Sequence, residues 1–461
     1  MKFQVKTILE VTSGKLLRGK DISGSFTIST DTRNISTEEI FLPLTGENFD
    51  GHNFINAALS KGIKGYLIDK IHTNFVFEDA SFVIEVEDTL KAYLQIANYA
   101  RKQINPVVVA VTGSCGKTTT KELIYSVLSQ QYKTHKSKLN HNNEIGLCQT
   151  MLGMPDDTEF LVVEMGMRAL KEIELLSKYS EPDIAVITNI GTAHIGRLGS
   201  REKIAQAKCE IVAYLDKQGI LIAYDDELVK KYAKWEGKTC YYSLKDVDIL
   251  KIDADSSEFS CNGNVYKLNV PGEYNIINSL AAIKVGMIAG MSPDKIAEGL
   301  ALYSSIENRW QVFNYKNNIK IINDSYNANP DSVKAAIHAV ISSYSGRKII
   351  LVIGDMAELG KYEKSLHAEI GEFVKDKPIS ELITVGDKAA YIAESLCVET
   401  KTDLCVENDK FKIKSFTRND EVVEYLLETL TPDSVVLLKA SRCMSFENIV
   451  EKLTNAGVNK C

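Results

Sequence analysis

The chain has 461 residues, with 54 Lys and Arg against 61 Asp and Glu, which gives a formal net charge of −7. At roughly 150 residues per domain, this length predicts about three domains. The mild acidity argues against a nucleic-acid-binding protein, because phosphate backbones are held by clustered Lys and Arg. It leaves open an anionic small substrate, since backbone amides and one or two cations can bind phosphate on an acidic protein.

The nine cysteines are odd in number and form no C-x-x-C pair, which disfavours a disulfide framework and a structural zinc site. The N-terminal stretch lacks the apolar core of a signal peptide, and no apolar run approaches the length of a membrane span. We therefore expect a reduced cytoplasmic protein without membrane insertion.

The first hundred or so residues are rich in Thr, Ser and Asp, with short strand patterns at 24–30 and 65–69. A helical pattern then covers 98–105 and ends at Pro106, which should hold Asn105 in an extended conformation. This stop predicts a domain boundary near residue 105.

Beyond that boundary, short apolar β-branched runs alternate with helical stretches. The runs lie at 107–111, 160–164, 183–190, 348–354 and 434–440. Runs of this kind, bounded by Gly, Pro and polar turns, are typical of buried parallel strands, so the sequence predicts an α/β fold. A new strand pattern from about residue 310, after the helical stretch ending at 306, predicts a second boundary there.

The stretch 107–129 combines a strand, a glycine-containing turn and a helix whose first turn carries Lys117, Thr118 and Thr119. Gly113 and Gly116 would let the backbone approach a phosphate, and the helix N-terminus would aim its N–H groups at it. The spacing G-x-x-G-K-T is a shortened variant of the Walker A pattern, in which the Lys reaches the β- and γ-phosphates and the hydroxyl ligates Mg²⁺. The pattern therefore predicts a nucleotide-binding site.

Three further residues have both a functional and an ordinary interpretation. Glu164 closes a strand and can reach the metal of the loop, but an exposed strand-end carboxylate is equally compatible with its spacing. His194 sits in a glycine-containing loop after another strand, where a structural histidine and a ligand are both open. Lys208 lies on a predicted helix, for which the default interpretation is a solvated face.

Longer strings in the sequence resemble the Mur ligase family, the ATP-dependent amide-forming enzymes of peptidoglycan precursor synthesis. The resemblance runs from about residue 25 to about residue 450 and rests on STDTR (29–33), GENFDGHNF (46–54), TGSCGKTTTKE (112–122), HNNEIG (141–146), VVEMGM (162–167), ITNIGTAHIGRLGS (187–200), IAQAKCEI (204–211), PGEYNIINSLAA (271–282), INDSYNANPDS (322–332), GDMAELG (354–360) and LLKASR (437–442). The D-N-P-R string of the ligase that adds the third peptide residue is absent. The similarity is instead to the branch that adds D-alanyl-D-alanine to UDP-N-acetylmuramoyl-tripeptide.

The resemblance implies an α/β protein of three domains: an N-terminal UDP-sugar-binding α/β domain at 1–104, a central P-loop ATPase domain with a mostly parallel sheet at 105–309, and a C-terminal Rossmann-like domain that binds the incoming dipeptide at 310–461. It also implies a monomeric, ADP-forming ligase that uses ATP and Mg²⁺ and proceeds through an acyl phosphate, with no nucleic-acid or membrane partner.

The roles that the resemblance implies fall into four groups. The catalytic residues are Lys117, Glu164, His194 and Lys208. The ATP-binding residues are Thr112, Gly113, Ser114, Gly116, Lys117, Thr118, Thr119, Asn275, Asn278, Arg309 and Asp324. The substrate-binding residues are Thr30, Asp31, Thr32, Arg33, Asn48 and Asp50 at the UDP end, Asn142 and Asn143 along the muramoyl-peptide, and Asn327, Asn329, Ser441 and Arg442 on the dipeptide side. The metal ligands are Thr118, Glu164, His194 and Lys208, the last as a CO₂-derived carbamate.

Some positions depart from the common pattern of the family. Tyr274 stands where His is frequent, Gly196 where Glu is frequent and Lys171 where Gly is frequent, and Cys443 replaces another small residue. Cys115 in the phosphate loop would make ATP binding sensitive to oxidation if the helix N-terminus lowers its pKa. The alternatives that remain are an ATP-dependent ligase for another acid and amine, and a P-loop ATPase that performs no ligation.

Overall fold

The computed structural model describes residues 1–19, 22–138, 140–396, 405–407 and 411–458. We refer to residues 1–104, 105–309 and 310–461 as the N-terminal, central and C-terminal segments. The cysteines whose side chains are described are free thiols, as expected: Cys115, Cys148, Cys209, Cys240, Cys261 and Cys443. Cys397 and Cys461 lie outside the described residues.

The N-terminal segment is a mixed sheet with helices packed against it. Its strands are β1 (Phe3–Gln4), β2 (Lys15–Gly19), β3 (Ser25–Ser29), β4 (Glu39–Phe41), β5 (Thr45–Gly46), β6 (Phe49–Asp50), β7 (Gly65–Asp69) and β8 (Phe82–Val86), and its helices are α1 (Val5–Thr12), α2 (Ile55–Leu59) and α3 (Thr89–Ile104). The order of the main sheet is β1-β3-β4-β7-β8-β2, parallel from β3 to β8 and antiparallel at both edges. The strands predicted at 24–30 and 65–69 are confirmed as β3 and β7.

Helix α3 leads into the central segment and contradicts one prediction. Its first turn is capped by the Asp88 carboxylate, which accepts a hydrogen bond from the N–H of Lys91 at 2.6 Å. At its other end Asn105 has φ 54° and ψ 48°, and its N–H donates to the carbonyl of Arg101 at 2.7 Å. The predicted extended conformation of Asn105 is therefore wrong. Asn tolerates the left-handed region, and a left-handed cap satisfies a carbonyl at the end of the helix.

The central segment carries a fully parallel sheet and a small antiparallel one. Its strands are β9 (Val107–Thr112), β10 (Thr134–Lys136), β11 (Phe160–Glu164), β12 (Ile184–Ile187), β13 (Ile220–Tyr224), β14 (Lys238–Tyr242), β15 (Asp248–Ile252), β16 (Ser257–Cys261) and β17 (Asn264–Leu268). Its helices are α4 (Lys117–Leu128), α5 (Glu144–Leu152), α6 (Glu172–Ser180), α7 (Ile195–Leu198), α8 (Arg201–Cys209), α9 (Glu227–Tyr232), α10 (Glu273–Ile288) and α11 (Pro293–Leu302).

The order of the parallel sheet, β10-β11-β9-β12-β13-β14, confirms the strands predicted from the apolar runs. Strand β12 is shorter than the predicted range 183–190, because the polar residues after Ile187 form a loop. Successive residues of β9 pack on opposite faces, with Val108 in one core cluster and Val109 in another, so both faces of the sheet are covered. The chain reverses its direction of crossover on either side of β9, and ligands of open α/β sheets bind at such a switch point.

The C-terminal segment is a second mostly parallel sheet. Its strands are β18 (Gln311–Tyr315), β19 (Ile319–Asn323), β20 (Lys348–Gly354), β21 (Glu381–Val385), β22 (Cys405–Glu407), β23 (Lys412–Phe416) and β24 (Ser434–Lys439), and its helices are α12 (Pro330–Ser343), α13 (Glu363–Val374), α14 (Ala390–Glu394), α15 (Asn419–Thr429) and α16 (Glu447–Val458). The order is β18-β19-β24-β20-β21-β23-β22, with antiparallel pairs only at the two edges of the described sheet. In none of the described ranges is a helix both long and apolar enough to cross a bilayer.

Candidate functional site

The phosphate loop, residues 113–116, connects the end of β9 to the start of α4. Gly113 has φ 154°, and a Cβ there would lie 1.8 Å from the Thr188 hydroxyl. Gly116 has φ 77°, and a Cβ there would lie 2.4 Å from the Asn278 side-chain oxygen. Because α4 begins at Lys117, the N–H groups of its first turn have no intrahelical acceptor and are available to an anion. Glycine is therefore required at both positions, because of the positive φ and because a side chain would collide with Thr188 or Asn278.

The loop is held by the residues that follow β12. The backbone N–H of Ser114 donates to the carbonyl of Asn189 at 3.1 Å, and the N–H of Cys115 donates to the Asn189 side-chain oxygen at 2.9 Å. Beneath the loop, the fully buried Thr112 hydroxyl donates to the carbonyl of Met165 at 2.9 Å. Thr112 thus supports the loop from below, while Gly116 and Thr119 line the cavity above it.

Two lysines converge on a single carbonyl oxygen of the loop. Lys117 Nζ and Lys208 Nζ each donate to the carbonyl of Gly113 at 2.8 Å. Lys208 is only 1% exposed, so the interpretation of α8 as presenting this lysine on a solvated face is wrong. Burial lowers the pKa of Lys117, and burial together with the Lys117 charge lowers the pKa of Lys208 well below its usual range. The site therefore favours a neutral amine at Lys208.

Glu164 ends β11 beside the loop and is buried, at 3% exposure. The Asn142 amide donates to its Oε1 at 3.0 Å, and the buried Lys121 ammonium lies 3.9 Å from its Oε2. That Oε2 is buried and has no hydrogen-bond partner among the described residues. An exposed strand-end carboxylate is thus excluded, and one carboxylate oxygen is available to a cation. Asn143, by contrast, caps α5 by accepting the N–H of Gly146 at 2.9 Å.

His194 stands at the start of α7 with φ 64° and faces the C-terminal segment. Its Nδ1 lies 2.6 Å from Oε2 of Glu358, whose Oε1 lies 3.9 Å from Nε of Arg197. The contact with His194 lowers the pKa of Glu358 despite partial burial, so Glu358 is charged at neutral pH.

A cavity of about 320 Å³ opens on one side of the phosphate loop. Asn275 and Asn278 of α10 border it, together with the aromatic rings of Tyr274 and Trp310. These rings meet edge to face with centroids 6.3 Å apart. Polar amides beside aromatic surfaces suit a planar heterocycle with hydrogen-bonding edges.

Arg309, the last residue of the central segment, completes this cavity together with residues of the C-terminal segment. Nη2 of Arg309 donates to the Thr118 hydroxyl at 3.0 Å, and the guanidinium stacks 4.1 Å from the ring centroid of Tyr326. Asp324 pairs with the ammonium of Lys439 at 2.8 Å. Cationic groups from both segments therefore surround the phosphate loop.

The chain on either side of Arg309 has an unusual conformation. Asn308 has φ 60° and Trp310 has φ 51°, both in the left-handed region. The Asn308 carbonyl accepts the N–H of Tyr326 at 3.0 Å, and the N–H of Trp310 donates to Asp324 Oδ1 at 3.3 Å. These hydrogen bonds hold a conformation that bulky residues rarely adopt.

A second cavity, of about 570 Å³, opens on the other side of the loop and is lined by Lys117, Glu164 and His194. The predicted muramoyl-peptide and dipeptide residues also line it: Asn142, Asn143, Asn327, Asn329, Ser441 and Arg442. Several of these have contacts within the protein. The Asn329 side chain caps α12 by accepting the N–H of Ser332 at 2.9 Å, and the Ser441 hydroxyl accepts the N–H of Ala357 at 2.8 Å.

The condition for oxidation-sensitive ATP binding, a lowered pKa of Cys115, is not met. Burial raises the pKa of its thiol, and the negative charge of Asp331 raises it further. The thiol contacts the Asn329 amide group at 3.3 Å. Because the thiolate is the form that reacts with oxidants, the prediction of oxidation-sensitive binding loses its physical basis.

The predicted UDP-end residues form a separate group within the N-terminal segment. Arg33 contacts Asp31 through two nitrogens, at 2.6 and 3.0 Å, and hydrogen bonds from Arg33 lower the pKa of Asp31 to about 2. Lys61 Nζ donates to the carbonyls of Thr32 and Arg33 at 2.8 and 2.6 Å. The described linings of the two cavities include none of the predicted UDP-end residues, which are Thr30, Asp31, Thr32, Arg33, Asn48 and Asp50.

Asp50 belongs to a cluster of two histidines and two carboxylates. It lies 2.8 Å from Nδ1 of the buried His52 and 3.2 Å from Nε2 of His72, while Asp69 lies 2.7 Å from Nδ1 of His72. The imidazole rings stack with centroids 3.8 Å apart. Burial acts to raise the pKa of Asp50, but hydrogen bonds from His52 outweigh it, and the pKa is lowered. Asp50 therefore links the hairpin of β5 and β6 to His52 and His72.

Sequence reasoning missed three charged residues of the site: Lys121, Glu358 and Lys439. The first and third are 0% and 4% exposed. Lys439 interrupts the apolar run of β24, and a lysine in a buried strand was a usable signal. Glu358 lies in the quoted string GDMAELG, but its contact with His194 could not be predicted, because the two residues are 164 positions apart in the sequence.

Comparison with known proteins agrees with this architecture. A family model described as "Mur ligase middle domain" matches residues 111–286, and one described as "Mur ligase, glutamate ligase domain" matches residues 308–442. The UDP-N-acetylmuramoyl-tripeptide--D-alanyl-D-alanine ligase of Bacillus subtilis is 38% identical, and that of Escherichia coli is 30% identical, each alignment covering 98% of both chains.

Solved structures give the same result. A crystal structure of MurF from Acinetobacter baumannii superimposes with a TM-score of 0.89 at 28% identity, covering 99% of both chains. The MurF ligase of Thermotoga maritima in complex with ADP gives a TM-score of 0.82 at 25% identity, covering 95% of this chain and 99% of that one. The chain belongs to the Mur ligase family. Along its whole length it is similar to the ligases named for D-alanyl-D-alanine addition.

Proposed function

We propose that the protein is an ATP-dependent, ADP-forming ligase that joins D-alanyl-D-alanine to UDP-N-acetylmuramoyl-tripeptide, giving the UDP-muramoyl-pentapeptide precursor of peptidoglycan. The main support for this function is that Lys117, Lys208 and Glu164 lie around one loop at the switch point of a parallel sheet. Full-length similarity to ligases of that name supports the choice of substrates. The proposal includes a monomer that acts in the cytoplasm.

The division of labour follows the three segments, which we propose as domains at 1–104, 105–309 and 310–461. The N-terminal domain would hold the UDP-sugar, and the exposed Arg33 beside Asp31 is suited to a diphosphate. Lys61 would hold the loop after β3 in place through its hydrogen bonds to the carbonyls of Thr32 and Arg33. Asn48 lies in the hairpin of β5 and β6, which the cluster around Asp50 anchors.

ATP would lie across the phosphate loop, with its base in the 320 Å³ cavity between Asn275, Asn278 and Tyr274. The first turn of α4 would bind the β- and γ-phosphates, and Lys117 would leave the Gly113 carbonyl to reach them. Arg309, the last residue of the central segment, and Asp324, in the C-terminal segment, would contact phosphate and ribose. The split of these contacts between two segments supports closure of one on the other during the reaction.

Mg²⁺ fits the donors that surround the loop. The buried Oε2 of Glu164 accepts no hydrogen bond from the described residues, so it can coordinate a cation. The Thr118 hydroxyl oxygen accepts a hydrogen bond from Arg309 and has a second lone pair for a metal ion. Both would hold one ion, and His194 with Lys208 as its carbamate would hold a second. When bound, the metal neutralises charge between the γ-phosphate and the attacking carboxylate, whose repulsion at 4 Å is about 4 kcal/mol at an effective dielectric of 20.

Lys208 meets the requirements for carboxylation by CO₂. The reaction needs a neutral amine, which attacks the carbon of CO₂ and releases a proton as the N–C bond forms. The burial of Lys208 and its lowered pKa supply that neutral amine. We expect Lys208→Ala to be nearly inactive and a small carboxylic acid in the buffer to restore part of the rate. A Lys208→Ala enzyme as active as the parent would reject the carbamate.

The chemistry then proceeds in two steps. The terminal carboxylate of the tripeptide attacks the γ-phosphorus, the bond to ADP breaks, and an acyl phosphate forms with Lys117 and Arg309 beside the transferred group. The neutral amine of the dipeptide attacks the acyl carbon, phosphate leaves, and one proton is released. The dipeptide would bind on the side of the 570 Å³ cavity that is bordered by Asn327, Asn329, Ser441 and Arg442.

The deciding experiment measures phosphate release by the purified protein with Mg·ATP and UDP-muramoyl-tripeptide, with and without D-alanyl-D-alanine. Release that depends on the dipeptide, with a nucleotide product heavier by the dipeptide minus water, is the expected result. Release indifferent to the dipeptide, without a new conjugate, would reject the proposal and favour a nucleotide hydrolase or another acid and amine pair.

A further inference from the structure

The contact between His194 and Glu358 joins two residues that are far apart in the sequence and lie in different segments. His194 follows β12 in the central segment, whereas Glu358 follows β20 in the C-terminal segment. Their side chains meet at 2.6 Å, between Nδ1 and Oε2. Each has a left-handed backbone, with φ 64° at His194 and φ 61° at Glu358. Conformations of this kind in non-glycine residues persist where the surrounding structure enforces them, and they concentrate at functional sites.

The backbones around the pair are held together on both sides. The N–H of Gly196 donates to the carbonyl of Glu358 at 3.0 Å. A Cβ at Gly196 would lie 2.5 Å from that carbonyl oxygen and 2.5 Å from the nitrogen of Gly360, so no side chain fits there. The hydroxyl of Tyr362 donates to the carbonyl of Gly199 at 2.7 Å. The approach of Glu358 to His194 is therefore set by contacts of the neighbouring residues as well as by the contact between the two side chains.

The buried Nδ1 of His194 faces Oε2 of Glu358 at 2.6 Å, in a close contact that is not aligned as a hydrogen bond, and no other described residue accepts a hydrogen bond from it. Nε2 is left for another partner. Histidines that bind metals almost always present their second ring nitrogen to a carboxylate, a carbonyl or water, which fixes the tautomer and the ring orientation. His194 lines the 570 Å³ cavity together with Lys117 and Glu164, so Nε2 is the nitrogen that can serve this cavity.

We propose that Glu358 is a positioning residue for the metal site: it fixes His194 with Nδ1 protonated and Nε2 directed to Mg²⁺. The inference rests on the proposed function, in which His194 is a metal ligand. Because Glu358 belongs to the C-terminal segment, the histidine is correctly oriented only when that segment is docked on the central one. Docking and metal affinity are thereby coupled, and the enzyme holds its second metal ion tightly only in the docked arrangement.

The test uses Mn²⁺ as a paramagnetic substitute and counts bound ions by electron paramagnetic resonance with a non-hydrolysable ATP analogue. We expect Glu358→Gln to weaken one of two bound Mn²⁺ ions about tenfold or more, as found when a carboxylate behind a metal-binding His is removed. His194→Ala should weaken the same ion, and the double variant should bind Mn²⁺ no more weakly than His194→Ala alone. Glu363→Gln is the matched control, since Glu363 pairs with Lys388 in the same segment.

A Glu358→Gln protein that binds Mn²⁺ as tightly as Glu363→Gln would overturn the proposal. Solution scattering of the ligand-free variants separates positioning from simple attachment of the segments. Weakened Mn²⁺ binding with a wild-type scattering profile supports positioning, whereas weakened binding that appears only together with a more open profile would overturn it. A wild-type protein without dipeptide-dependent phosphate release would reject the proposed function instead. The Mn²⁺ measurement requires no turnover, so it still decides the role of Glu358 in that case.

Discussion

Replacing Lys208 by Met is expected to stabilise the protein against unfolding while removing its activity. The two ammonium groups of Lys117 and Lys208 each lie 2.8 Å from the Gly113 oxygen, so they are at most about 5.6 Å apart. Two unit charges at that separation repel by about 3 kcal/mol at an effective dielectric of 20. The substitution also loses one hydrogen bond, worth about 1 kcal/mol. The net gain in unfolding free energy is about 2 kcal/mol where both amines are charged.

The gain should depend on pH in a defined direction. The folded protein holds Lys208 with a pKa well below its usual value, whereas the unfolded chain keeps the proton up to about pH 10.4. Between those two values the unfolded state binds more protons, so the stability of the wild type rises with pH by up to about 1.4 kcal/mol per unit. Lys208→Met lacks this dependence, and its advantage is largest at the acid end and shrinks as the pH rises.

Urea unfolding of both proteins from about pH 6 to about pH 9.5 measures this difference. The buffers must be free of CO₂, because carboxylation would consume the neutral amine of the wild type. Lys203→Met is the control, since Lys203 lies on the same helix with an exposed side chain. Parallel stability curves for the wild type and Lys208→Met would refute the reasoning, as they would mean that the buried amine is ionised without cost.

The remaining predictions concern the phosphate loop and the cap of α12. Lys117→Ala should lower phosphate release at least about a hundredfold with an unchanged circular dichroism spectrum, and substantial turnover would remove this lysine from the mechanism. Gly116→Ala should cost about 1–2 kcal/mol of unfolding free energy, because its φ of 77° is strained for alanine and its Cβ would meet Asn278 at 2.4 Å; an unchanged melting temperature would contradict this. Asn329→Ala should cost about 1 kcal/mol in urea unfolding by removing the cap of α12, whereas a neutral effect would mean that the cap is replaced by water.

The strands around the site could be predicted because their information is local. A run such as 160–164 places four apolar residues, two of them Val, before Glu164, as a strand covered on both faces requires, and it forms β11 without a shift of either end. The phosphate loop was predictable for the same reason, since strand, glycines, Lys117 and Thr118 are adjacent in the chain. In both cases a single stretch of backbone creates the geometry, so the motif was sufficient to predict it.

Other features depend on what distant segments bring together. The burial of Lys208 comes from the packing of α8 beneath the phosphate loop, 95 positions earlier, and a helical pattern alone favoured a solvated lysine. The pKa of Cys115 depends on burial and on Asp331, which outweigh the helix N-terminus that sequence reasoning considered. The wrong prediction at Asn105 has a local cause. Pro106 disfavours a right-handed helical conformation at Asn105, but the residue adopts the left-handed conformation of a helix cap instead of an extended one.

The left-handed residues on either side of Arg309 have a consequence for the entropy of ligand binding. A flexible connection would lose conformational freedom each time Arg309 was fixed against the phosphate loop, at about 1–2 kcal/mol per ordered residue. Here the hydrogen bond that the Asn308 carbonyl accepts from Tyr326 and the one that the Trp310 N–H donates to Asp324 restrict the connection before any nucleotide arrives. Replacing Asn308 by Gly would enlarge the range of backbone conformations, so nucleotide affinity should fall even though no contact with the ligand is removed. The connection around Arg309 thus favours nucleotide binding because it is already ordered before the ligand binds.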